Sequence, residues 1–154
     1  MAGRSIGHNT AIDNKRANPS MTLQKKYVSV FRLQLIYGLL CIVWNAYGLW
    51  LSYSDAPPVG PTASWGVVIG APVILVLLFI CLVRGLEAVF ALLSTAVGLL
   101  AASRVYAALS GSAEQWNSVA WQLLGGGINV IGALSAMLMV YVYLNSQTVN
   151  VDRS

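Results

Sequence analysis

Gln122-Leu123-Leu124-Gly125-Gly126-Gly127-Ile128-Asn129 sets two amides and a glycine triplet inside an apolar run that continues to Leu144. No Asp, Glu, Lys or Arg interrupts that run. It exceeds the roughly 20 residues that an α-helix needs to cross a bilayer. At about 100° per residue, Gln122, Gly126, Asn129, Ala133 and Ala136 share one narrow face, and leucine, isoleucine, valine and methionine cover most of the remainder. Such a face suits contact with another helix, since small residues let backbones approach and amides bond across the gap. Reading the stretch as a membrane span decides the fold class.

The composition agrees. Of 154 residues, 57% are hydrophobic and 9% charged, with a mean hydropathy of +0.69. Ordinary soluble domains have roughly 45–50% and 25%. The chain is therefore expected to be an all-α integral membrane protein, a four-transmembrane-helix antiparallel bundle. The expected spans are 27–51, 64–83, 87–110 and 117–144, one domain of 27–144. Residues 1–26 read as a flexible cytoplasmic tail because they lack hydrophobic periodicity and carry the turn signal Asn18-Pro19-Ser20. Residues 145–154 read as a second, short tail.

Working outward from the fourth span, the first carries a comparable stripe. Gln34, Gly38, Cys41, Asn45, Gly48 and Ser52 recur at steps of three and four, which places them within roughly 80° of one another. In opposite directions, the two stripes match in depth: Asn45 with Gln122, and Cys41 near Asn129. The second span offers Gly66 and Gly70 in a small-xxx-small pairing, and Pro72, which lacks the N–H for the Val68 carbonyl. In the third, Ala91, Ser94, Thr95, Gly98, Ala101 and Ala102 make a small face. The expected packing positions are Gly38, Cys41, Gly48, Gly66, Gly70, Gly98, Gly125, Gly126 and Ala133. Arg84-Gly85-Leu86-Glu87 leaves room only for a tight helical hairpin, across which Arg84 and Glu87 could pair.

Orientation follows from the basic residues. Arg4, Lys15, Arg16, Lys25, Lys26, Arg32, Arg84 and Arg153 fall on one side of the expected topology, whereas the opposite loops hold Asp55 and Glu114. The excess of Lys and Arg in cytoplasmic segments then puts both termini in the cytoplasm and the chain in the plasma membrane. Trp44, Trp50, Trp65, Trp116 and Trp121 all come to the other interface.

Catalysis is not expected. His8, the only histidine, lies in the tail, so no bis-histidine haem can form. There is no HExxH or Cys-Cys-His set for zinc and no carboxylate pair near the midplane. No metal, cofactor or nucleic-acid partner is expected. Arg104 is the one charge that stands well inside a span, about 9 Å from its end at ~1.5 Å per residue. With Asn45 and Gln122 at the same depth and Asn129 below, it makes a candidate polar binding layer. Three functions follow as expectations: a non-catalytic subunit or assembly factor packed against other membrane subunits, a small homo-oligomeric transporter or channel, or a binder of membrane lipids or a quinone.

Overall fold

The computed structural model describes residues 19–61, 63–111 and 115–151. It is all-helical: α1 (Pro19–Tyr53), α2 (Trp65–Arg84), α3 (Glu87–Ser110) and α4 (Val119–Val151). Among the described residues, each of the four helices is long and apolar enough to cross a membrane. His8, Glu114 and residues 152–154 lie outside the described residues, as does the tail as far as residue 18.

Two helices are longer than their expected spans. Pro19 opens α1 instead of marking a turn. A proline is well tolerated at the first helical position, where its missing N–H would have had no intrahelical partner. At the other end α4 runs on past Leu144 to Val151, because Asn145-Ser146-Gln147 contains neither Gly nor Pro.

The ends of α2 are set by local chemistry. Ser64 is its N-cap, extended at φ −139° and ψ 129°, and its Oγ accepts from the Gly66 N–H at 3.1 Å. At the C-terminal end Gly85 adopts φ +68°, a left-handed conformation that costs glycine nothing. The Leu86 N–H then reaches the Cys81 carbonyl at 2.9 Å and the Gly85 N–H reaches Leu82 at 3.3 Å, a Schellman pairing that satisfies the helix's last carbonyls. The expected Arg84–Glu87 pair does not form. Glu87 instead accepts a hydrogen bond from the Tyr27 hydroxyl at 3.1 Å, because the turn is so tight that the carboxylate faces α1.

Helix contacts run α1 to α2, α1 to α4 and α3 to α4, the last being the most extensive, and α2 touches α3 much less. Along α1 and α2, Phe31 meets Phe79 with ring centroids 5.9 Å apart and Gly38 lies against Leu75, while Gly48 lies against Ala63 just before α2. Between α1 and α4, Tyr27 approaches Ser146, the Tyr37 ring covers Gly132, and the Trp44 and Trp121 rings meet at 5.7 Å. A methyl group added at Gly98 would overlap that of Ala136, so this glycine sets how closely α3 and α4 approach.

Burial on α4 follows Gly125, Ile128, Gly132, Ser135, Met139, Val142 and Ser146, alternate steps of three and four that match a knobs-into-holes seam. The face expected from the sequence lies beside this seam: Gln122, Gly126, Asn129 and Ala133 are half-buried and Ala136 is buried. The rotation has a cause. This helix packs on two neighbours at once, so Tyr37 covers Gly132 on the α1 side while Ala108 meets Gly126 on the α3 side.

The apolar core gathers at one end. Tyr27, Val30, Leu78, Cys81, Phe90, Met139 and Val142 form it, and Tyr27 and Phe90 meet edge to face at 6.0 Å. Helix packing loosens toward the other end, where the aromatic rings of Trp44, Tyr47, Trp50 and Trp121 adjoin in sequence.

Candidate functional site

Small residues on α2 hollow out the loosely packed end. Beyond the tight hairpin at Gly85, α2 diverges from α3, and the space opposite Gly66 and Gly70 is not taken by another helix. A Cβ at Gly70 would have nothing within 4 Å, and one at Gly66 would meet only the Ser64 Oγ of its own helix start. The expectation that these two glycines admit a neighbouring backbone is corrected here: they line a cavity of about 470 Å³. That volume lies within the ~300–1,000 Å³ typical of small-molecule sites.

All four helices contribute to the wall. Its apolar part comes from Ile74, Leu75 and Leu78 on α2, Val97 and Leu100 on α3, and Ile128 on α4. The lining residues of α1 and α4 are buried or half-buried, whereas Gly66 on α2 and Leu100, Arg104 and Ala107 on α3 are exposed. The cavity therefore opens sideways, between α2 and α3.

Three of the four polar residues expected to form a layer, Asn45, Arg104 and Asn129, reach this one cavity. The amides do not bond to each other, as the depth matching had implied. Asn45 Nδ2 donates to the Cys41 carbonyl one turn back at 2.8 Å, and its Oδ1 accepts from the Ser64 N–H at 3.0 Å. Asn129 Nδ2 likewise donates to the Gly125 carbonyl at 2.8 Å, and its Oδ1 accepts from the Tyr37 hydroxyl at 3.2 Å. Short polar side chains on a helix find their own backbone within reach, which spares them the cross-helix geometry. Gln122 stands away from the cavity. Its Nε2 donates to the Ala108 carbonyl at 2.6 Å, satisfying a carbonyl in the last turn of α3 that has no intrahelical donor.

The residues that sequence reasoning missed are Gln34, Tyr37 and Trp116. From the sequence, Gln34 belongs to the stripe of the first span and Trp116 to the interfacial tryptophans. Gln34 is 1% exposed and lines the cavity, yet its Nε2 has no hydrogen-bond partner among the described residues. The Nε1 of Trp116, also on the wall, is buried without a partner. Buried polar groups are almost always bonded, and leaving one unpaired costs about 1–3 kcal/mol. Ser94 Oγ is a third such atom, but it lies off the cavity. The signal for Gln34 was available: an amide in the middle of an apolar span needs a partner, and no other residue of its stripe could supply one at its own depth.

The other packing positions divide. Gly38, Gly48, Gly98 and Gly125 meet a neighbour that an added methyl would crowd, and Gly126 is at ordinary contact distance from Ala108. Cys41 is half-buried and on the cavity wall. Among the described residues no three of His, Cys, Asp and Glu come together as a metal site would require.

The cavity thus sets one positive charge, Arg104, within largely aliphatic walls. Comparison with protein-family models, with characterised proteins and with solved structures found no match to this chain.

Proposed function

We propose that this chain is an integral membrane protein, its helices an antiparallel bundle, and that it binds a membrane-dissolved amphiphile in the cavity between α2 and α3. Its outer surface supports the membrane reading: Leu92, Leu99, Leu109, Leu123 and Met137 are each more than two-thirds exposed, a surface that favours lipid over water. The order of contacts along α1 and α2, from Phe31 with Phe79 to Gly38 with Leu75, supports opposed directions.

The binding reading is carried by one observation: an aliphatic cavity, open on the side that would face lipid, whose lining includes Arg104 among apolar side chains from all four helices. An apolar pocket with a few convergent polar groups is what small-molecule recognition requires. A guanidinium on the wall favours a ligand that brings a carbonyl or an acidic head. This is the third of the functions expected from the sequence. The first, a partner subunit, rested on small and polar stripes that could face outward. The stripes of α1 and α4 are instead largely occupied within the four helices.

Extraction in mild detergent followed by mass spectrometry of bound small molecules tests the proposal. The expected result is a co-purifying amphiphile that is lost in Gly70→Phe, a variant that fills the cavity at a position with no neighbour to displace. Retention of the molecule by Gly70→Phe, with helicity and melting unchanged, would place it elsewhere. A larger complex with other chains and no bound amphiphile would favour the partner-subunit reading.

A further inference from the structure

We propose that Trp116 is a plug that shuts the cavity to water at the α1–α2 loop end, so that the ligand enters from lipid, between α2 and α3, and small water-borne anions are kept from Arg104. This rests on the binding function proposed above and names the residue that restricts the site to membrane-dissolved molecules.

Two glycines from different elements make room for this indole. A Cβ at Gly60, in the loop between α1 and α2, would stand 2.6 Å from Trp116 Cζ3, and one at Gly125 on α4 would stand 3.0 Å from Cζ3 and Cη2. Neither glycine is required by its backbone, since among the described residues Gly85 is the one glycine with a positive φ. The space they leave is the space the ring occupies. Trp44 completes the seat, its Cζ2 3.1 Å from the same point at Gly125. An interfacial tryptophan ordinarily gives its N–H a partner at the wet side of its ring. Here Nε1 is buried without one, so the ring is wedged inward by its shape and not anchored outward by its polar end.

Beneath the ring lies the one charged residue of the cavity lining. Gly98 faces Ala136 and Ala108 faces Gly126, a register that sets Arg104 opposite Val130, about 7.5 Å of helical rise beyond Gly125. Arg104 is there level with Asn129 and with Tyr37, which bond to each other, and its charge acts on the Tyr37 hydroxyl. No Asp or Glu lines the cavity among the described residues, so an open path to solvent would draw small anions toward this guanidinium. Cys41 is on the same wall, three positions along α1 from Trp44, and so reports on whatever passes the seat. With the indole in place, the opening left is the lateral one past Gly66, Leu100 and Ala107, which are exposed.

The full-length protein in phosphatidylcholine nanodiscs, which leave both faces open to solvent, tests this at Cys41. Two thiol reagents are compared by peptide mass spectrometry: lipid-permeable N-ethylmaleimide and the water-borne anion 2-sulfonatoethyl methanethiosulfonate. The ratio of their rates cancels the reactivity of the thiol itself. In the unaltered protein the maleimide reacts and the sulfonate is slow. Gly60→Ala keeps the tryptophan but crowds it from its seat, and is expected to raise the sulfonate-to-maleimide ratio about tenfold, the shift in occupancy that such overpacking produces. Trp116→Ala removes the ring and is expected to raise the ratio further. Adding Arg104→Gln to Trp116→Ala is expected to lower the sulfonate rate severalfold, because the attracting charge is gone. Should Trp116→Ala lose its helicity, Gly60→Ala decides alone. The same ratio in the unaltered protein and both single variants, whether low or high, would overturn the inference. No effect of Arg104→Gln in the opened protein would overturn the claim that the plug guards this charge. The binding function stands or falls separately, on whether an amphiphile co-purifies.

Discussion

Glycine has different meanings at Gly98, Gly127 and Gly70, and only the neighbours tell them apart. At Gly98 a methyl group would run into Ala136, with the Ala136 Cα 3.5 Å and the Gly132 carbonyl oxygen 3.7 Å away. Overpacking of this kind typically costs about 1–3 kcal/mol, so Gly98→Ala is expected to lower the midpoint of denaturant unfolding in detergent. Gly127 has nothing within 4 Å. Gly127→Ala is expected to be neutral or to stabilise by up to about 1 kcal/mol, the difference in backbone freedom. The opposite order of the two variants would refute the packing described here. Tyr37 adds a third residue-scale contact: its ring covers Gly132 and its hydroxyl donates to Asn129 Oδ1. Tyr37→Phe is expected to lose about 0.6 kcal/mol, the average for a hydrogen bond between membrane helices, in the same unfolding measurement.

Between elements, side chains of one helix complete the ends of another. Asn45 on α1 accepts from the Ser64 N–H just before α2, and the Ser64 Oγ accepts from Gly66. Replacing Ser64 with alanine removes an N-cap, a loss of about 1 kcal/mol. In Asn45→Ala the Ser64 N–H is left without its α1 partner. Both are expected to increase amide hydrogen exchange in the first turn of α2 and to leave the Tyr27 end of the molecule protected. Uniform loss of protection would contradict this. Gln122 does the same for the last turn of α3 through the Ala108 carbonyl. Gln122→Leu is therefore expected to destabilise the end of α3 without weakening ligand binding, in contrast to its expected membership of the binding layer.

Across the whole molecule, a closed end and an open end follow from where bulky and small residues meet. Cys81 belongs to the core at the closed end and Cys41 to the cavity wall. Cys41 is expected to react with N-ethylmaleimide faster than Cys81, and a bound amphiphile is expected to slow it. Equal rates, or no protection, would count against an accessible cavity. The proposed orientation has its own test. With both native cysteines replaced by serine, Ser54→Cys between α1 and α2 is expected to react with an impermeant maleimide on intact cells. Leu86→Cys, at the α2–α3 hairpin, is expected to react only after permeabilisation. Reversed labelling would invert the topology.

Four apolar helices and the hairpin at Gly85 were legible in the chain, because they depend on composition, length and a few residues adjacent in sequence. The end of α1 at Pro19 and the extension of α4 to Val151 were less legible, since polar residues continue a helix when no breaker stops them. The stripe of α1 was readable as a face, with Gln34, Gly38, Asn45 and Gly48 buried, but not the use made of each member. Spacing along one helix says which residues point the same way. What they meet depends on the distance and rotation of a second helix, which the side chains of all neighbours set together. Gly38 and Gly70 were equivalent in sequence. Only the tertiary structure put Leu75 against one and opened a cavity at the other, because α2 lies close to α1 but parts from α3 beyond the hairpin.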